Sequence, residues 1–190
     1  MAADTARGET GVHVALLRGI NVGGKNKLPM ADLAAMFREA GCDEVQTYIQ
    51  SGNVVFRAGV ALAADIPSLI SESILRRFDY RVPVIIRTRR ELEDVVRTNP
   101  FAETGTEANK LLVFFLADLP DRARVEALDP DRSPGDEFAV VGREVFVHYP
   151  NGVARSKLTN SYFDSGLSTI GTGRNWRTVT KLLDLATAAS

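Results

Sequence analysis

The chain has 190 residues, of which 45% are hydrophobic and 25% charged, with a formal net charge of -1 and a pI near 6.2. That is enough apolar material for one sizeable core or two small ones, and the balanced charge excludes a protein whose main work is coating nucleic acid or anionic lipid, since such affinity comes from many Lys and Arg contacts to phosphates. The single cysteine, Cys42, excludes an intramolecular disulfide framework, and no apolar run approaches the roughly 18 residues needed to span a membrane, so a reducing cytoplasm is the expected compartment.

The first ten residues lack the apolar stretch of a signal peptide and are read as a disordered leader. VHVALLR, Val12 to Arg18, is a mostly apolar run of strand length. Pro29 suits a first helical position, and Leu33, Met36, Phe37 and Ala40 recur at helical spacing before Gly41 stops the helix. EVQTYIQ and NVVFRA are strand-like runs separated by Ser51-Gly52, a hairpin signal. Ile66, Leu69, Ile70, Ile74 and Phe78 predict a second helix, VPVIIRT a strand, and Leu92, Val95 and Val96 a third helix.

After the loop NPFAETGTEANK the order repeats. LLVFFLA is a strand, Asp121 to Leu128 a helix, and EFAVVGREVFVHY a hairpin turning at Gly142-Arg143. A helix around Lys157 to Asp164, a short strand near Thr169-Ile170 and a last helix through Val179, Leu182, Leu183 and Ala186 complete it. The expected fold is α+β, a tandem of two ferredoxin-like βαββαβ domains over residues 11–100 and 109–190, each with a trailing helix. The halves share a pattern of elements and no visible sequence identity.

Gly19-Ile20-Asn21-Val22-Gly23-Gly24-Lys25 satisfies the G-x-x-x-x-G-K spacing of a phosphate-binding loop and follows a strand. Two features argue against that identity. The hydroxyl position that would hold magnesium is Asn26, and Pro29 delays the helix start by some four residues, so the helix N-terminus would not face a phosphate cradled by the glycines. Glycines alone could serve a tight connection. Arg18, Asn21, Lys25 and Asn26 interleaved with them, in a stretch from Gly11 to Ala31 that holds no acid, point instead to contact with an anion, with the N–H groups of Gly23 and Gly24 as further donors.

In a βαββαβ unit the turn between the second and third strands lies at the end of the sheet where the first strand finishes. Gln50, Ser51, Gly52 and Asn53 are therefore expected beside Arg18 and the glycine loop. The same topology groups Arg155, Ser156 and Lys157 with Gly171 to Trp176, a second polar cluster in which Lys157, Arg174 and Asn175 are candidate ligand contacts. Each turn has a plain structural reading as well, Ser-Gly-Asn as turn chemistry and Thr172 or Gly173 as a helix cap.

LLRGINVGGKNKLPM, TYIQSGNVVF, NPF at Asn99 to Phe101, SKLT at Ser156 to Thr159 and GRNWRTVTKL at Gly173 to Leu182 resemble a family of bacterial proteins catalogued as domain of unknown function 1697. The resemblance spans nearly the whole chain and implies two ferredoxin-like domains in tandem; the family typically has Thr or Ala where Gly173 stands here. It implies no activity, cofactor or catalytic residue. His13 and His148, the only histidines, have no second ligand at metal spacing, and no G-x-S-x-G elbow is present. The sequence favours a protein that binds or converts a small anionic molecule bearing phosphate or carboxylate. Against it stand an RNA-binding module, weakened because the first strand carries no aromatic residue and the third only Phe56, and a protein-interaction or dimer module with purely structural turns.

Overall fold

The computed structural model describes residues 10–102 and 106–189, so all but the last residue of the expected leader lies outside the described residues. Thr10, the last of those ten, opens the first strand. Element order is β1 (Thr10–Leu17), α1 (Met30–Glu39), β2 (Asp43–Tyr48), β3 (Asn53–Gly59), α2 (Val60–Phe78), β4 (Val84–Thr88), α3 (Arg89–Thr98), then β5 (Leu111–Leu116), α4 (Arg122–Glu126), β6 (Glu137–Val141), β7 (Glu144–His148), α5 (Asn160–Leu167), β8 (Gly171–Asn175) and α6 (Trp176–Ala188). There are two four-stranded antiparallel sheets, ordered β2-β3-β1-β4 and β6-β7-β5-β8. Packing divides the chain into two compact units, one ending at Leu92 and resuming at Leu182, the other running from Glu93 to Lys181.

In the first unit the period-2 alternation of β1 turns Ala15 and Leu17 toward Leu33, Met36 and Phe37 of α1 and Ile66, Ile70 and Ile74 of α2, with Val54 and Phe56 of β3 in the same core. Val12, Val14 and Leu16 face the other way and are buried too. A strand buried on both faces reads as a continuous apolar run, which is what VHVALL is. The sequence pattern starts the second helix at Ile66, whereas α2 begins at Val60, because Ala63 extends the buried stripe one turn back. Pro29 caps α1 from outside the helix, one residue earlier than expected.

The second unit repeats the plan with shorter helices. Phe114 and Leu116 of β5, Val145 and Val147 of β7 and Phe163 and Leu167 of α5 form its core. Two boundaries depart from the sequence pattern. The expected helix around Lys157 begins only at Asn160, since Ser156, Lys157 and Leu158 are held in an extended turn: the Lys157 N–H donates to Ser133 Oγ at 3.2 Å and the Leu158 N–H to Ser156 Oγ at 3.0 Å. Thr159 then caps the helix, accepting from the Tyr162 N–H at 3.2 Å. The short strand is Gly171–Asn175, beyond Thr169-Ile170, because its register is set by β5, Leu116 opposite Gly171 and Leu112 opposite Asn175.

Candidate functional site

β1 and β3 pair antiparallel with Leu16 opposite Asn53, so the Ile49–Gly52 turn comes to the end of β1 where the glycine loop leaves the sheet. The Leu17 N–H donates to the Gly52 carbonyl at 2.8 Å, and the Arg18 N–H to the Pro83 carbonyl at 3.0 Å. The approach is close: a Cβ on Gly52 would lie 2.7 Å from Leu17 Cβ and 2.8 Å from Ile20 Cδ1. Glycine here answers both to that contact and to a φ of +74°.

The glycine loop is a small folded unit. Val22 and Lys25 form an antiparallel bridge around Gly23 and Gly24, whose φ angles of +58° and +76° make the tight turn. Asn21 Nδ2 donates to the Leu28 carbonyl at 2.9 Å and to the Gln50 carbonyl at 2.8 Å, while its Oδ1 accepts from the Leu28 N–H at 2.8 Å. Asn26 Nδ2 donates to the Gly19 carbonyl at 2.9 Å. Both asparagines sit at positive φ, 55° and 49°, a conformation that Asn tolerates better than most residues. Lys25 and Lys27 project from this braced loop and are exposed.

This geometry removes the phosphate-binding-loop comparison. The helix starts at Met30, Asn26 turns its amide into the loop, and the sheet is antiparallel throughout. Among the other predicted contacts, Asn53 is fully buried, its amide donating to the Tyr48 carbonyl at 3.1 Å and to Ser51 Oγ at 2.9 Å, so it shapes the turn. Gln50 is exposed and offers its carbonyl to Asn21. The loop and hairpin thus bring together Arg18, Asn21, Gly23, Gly24, Lys25, Gln50, Ser51 and Asn53, with the two asparagines acting on backbone.

The second predicted cluster separates. Lys157 lines a cavity of about 540 Å³ with Arg132, Thr159 and Tyr162, where the Arg132 guanidinium carbon stands 5.4 Å from the Tyr162 ring centroid. Arg174 lies on β8 opposite Val113, 7% exposed, donating to Thr172 Oγ1 at 2.9 Å and to the Gly173 carbonyl at 2.8 Å; burial pulls its guanidinium down to about 10. Asn175 caps α6, accepting from the Thr178 N–H at 2.8 Å.

Sequence reading passed over Arg87, which holds the corresponding place in the first unit. It lies opposite Val14, is 1% exposed, donates to the carbonyl of the preceding residue at 2.9 Å and is followed by a helix cap. That cap is a reciprocal pair, Thr88 Oγ1 accepting from the Glu91 N–H at 3.1 Å and Glu91 Oε2 from the Thr88 N–H at 2.7 Å. An Arg directly before a capping residue in both halves was the available signal.

No Phe, Tyr or Trp is exposed among the described residues, and Phe56 is buried, stacked on His13 and tilted against Phe37, so it offers no face on which a base could stack. Cys42 is buried, and burial with Asp43 nearby raises its thiol to about 11. Among the described residues no group of three metal-binding side chains occurs and no helix is long and apolar enough to cross a membrane.

Comparison with known proteins gives two findings. The model of a family described as "Protein of unknown function (DUF1697)" matches residues 11–146, a segment that includes the glycine loop and the hairpin and ends before Lys157. A solved structure, that of a conserved bacterial protein from Streptococcus pneumoniae, superposes with a TM-score of 0.69 at 20% identity, covering 94% of this chain and 99% of that one, a likeness of fold. No curated protein matches.

Proposed function

The chain belongs to the DUF1697 family of proteins of unknown function, and on that footing we propose that it binds a small anionic ligand, bearing phosphate or carboxylate, at the glycine loop. One observation carries the reading: Asn21 ties the loop to the hairpin turn through Leu28 and Gln50, which holds Lys25 and Lys27 exposed in a stretch without an acid. A plain connection needs no such bracing of a cationic tip. Arg18, Lys25 and the N–H groups of Gly23 and Gly24 are the ligand contacts, Gln50 and Ser51 flank them, and Asn21 and Asn53 position them. In the second half Lys157 is the candidate contact at its cavity, whose lining includes neither Arg174 nor Asn175.

The same proposal takes both units as ferredoxin-like, in domains of residues 11–100 and 109–190. Support comes from the strand orders β2-β3-β1-β4 and β6-β7-β5-β8 with helices between strands one and two and between three and four. The test is calorimetric titration of the full chain with inorganic phosphate, AMP and citrate. A charge-assisted contact is worth roughly 1.5–3 kcal/mol, so Lys25→Ala should weaken the ligand by about 10- to 100-fold. No binding by any of the three, or equal binding by wild type and by Arg18→Ala and Lys25→Ala, overturns the reading.

A further inference from the structure

At the other end of β1, away from the glycine loop, a cavity of about 400 Å³ opens between the start of β1, the end of β4 and the first residue of α2. That size is within the range of small-molecule pockets. His13, Arg57, Val60, Thr88, Arg89 and Arg90 line it, with Thr10 and Gly11 at its edge. His13 is 6% exposed, and neither ring nitrogen makes a hydrogen bond of good geometry, although the Ala58 backbone lies near enough to act on the ring. A buried imidazole with both nitrogens unsatisfied is costly, and such groups in native proteins call for an explanation. The ring stacks on Phe56 with centroids 5.5 Å apart, which fixes its plane. Gly11 leaves the space beside it open: a Cβ there would lie 3.5 Å from Nε2.

The surroundings are cationic. Arg89 and Arg90 start α3, and Arg57 reaches the Ala189 carbonyl at 2.9 Å and Glu44 at 3.9 Å. Glu91, whose charge acts on His13, is held by the Thr88 N–H and hydroxyl. α2, 19 residues long, begins at the rim with no side-chain cap and no acid in its first turn, so its free N–H groups and the positive end of its dipole are uncompensated. We propose that this cavity is a second binding site, for a small organic phosphate monoester, whose phosphoryl group is held by Arg89, Arg90 and the first turn of α2 while an ester or hydroxyl oxygen meets His13. A dianion matches this set of cations better than a single carboxylate. Burial lowers the His13 pKa, and a bound anion would oppose that and favour the protonated ring.

With only two histidines in the chain, the ring C–H resonances of His13 can be followed by proton NMR and assigned with His148→Gln. Titration of the full chain with glycerol 3-phosphate should move the His13 signals saturably and leave those of His148 in place. Arg89→Ala and Arg90→Ala should each weaken this response by about 10- to 100-fold, and Gly11→Val should abolish it by covering Nε2. Arg76→Ala, at the far end of α2, should leave it unchanged. The proposal falls if His13 does not respond saturably to glycerol 3-phosphate, if glycerate matches the phosphate in affinity, or if the response survives undiminished in Arg90→Ala, an exposed position whose loss leaves the fold intact.

Discussion

The side-chain amide of Asn21 donates to the main-chain carbonyl of Gln50 across 2.8 Å, linking two turns 29 residues apart in sequence. The same side chain bonds both the carbonyl and the N–H of Leu28, so one residue holds the glycine loop closed on itself and fastened to the hairpin. Because Asn21 also sits at φ 55°, Asn21→Ala loses three hydrogen bonds and adds backbone strain. The expected cost is about 2–4 kcal/mol, read as a lower urea midpoint at unchanged m. Lys25→Ala should shift stability by less than about 0.5 kcal/mol. Equal midpoints for the two variants would show that the loop is not braced in this way.

Gly52→Ala should be among the most damaging single-methyl changes in the first unit. The new Cβ would meet Leu17 Cβ at 2.7 Å, an atom fixed to the backbone of β1, at a φ of +74°. Overpacking and left-handed strain together are worth about 2–4 kcal/mol. Gly23→Ala, with open space around its Cβ, carries only the strain of its φ, about 1 kcal/mol. Thermal melts of the pair separate the two causes, and a Gly23 variant as unstable as the Gly52 variant contradicts the assignment.

Stability should fall on mild acidification through His13. Burial depresses its folded pKa below the ordinary 6.5, the Ala58 carbonyl and Glu91 opposing only in part, so the unfolded chain binds the proton more readily. The contribution is fully present above pH 6.5 and is lost as pH drops from there toward the folded value. Wild type should therefore lose stability as pH falls below 6.5 more steeply than His13→Phe, whose ring can stack on Phe56 without titrating. Parallel stability-pH curves would remove His13 as the cause.

Cys42 should be inert in the folded protein. Its thiol is buried and raised to about 11, so almost none is thiolate at neutral pH. Labelling with an aromatic disulfide reagent should run at the rate of local opening and become fast only in denaturant. Native labelling as rapid as that of a free cysteine would place the thiol at the surface.

The order of strands and helices was legible in the sequence because it depends on local periodicity. A continuous apolar run in Val12 to Leu17 and 3.6-residue spacing in Leu33 to Phe37 and Ile66 to Phe78 appear whatever the rest of the chain does. The turns at Gly52 and Gly142 were legible too, since positive φ selects glycine, and from them topology placed the hairpin beside the glycine loop. Tertiary structure alone decided what those polar residues touch. Asn21 and Asn53 carry the same amide whether they meet a ligand or a carbonyl, and only the folded loop turns them onto Leu28, Gln50 and Tyr48. GTGRN has little strand propensity of its own and is a strand because β5 offers it an unpaired edge, which in turn buries Arg174. The cavity at His13 was hidden for the same reason: Gly11, Thr88 and Val60 are distant in sequence and meet only when the start of β1, the end of β4 and the start of α2 come to one end of the sheet.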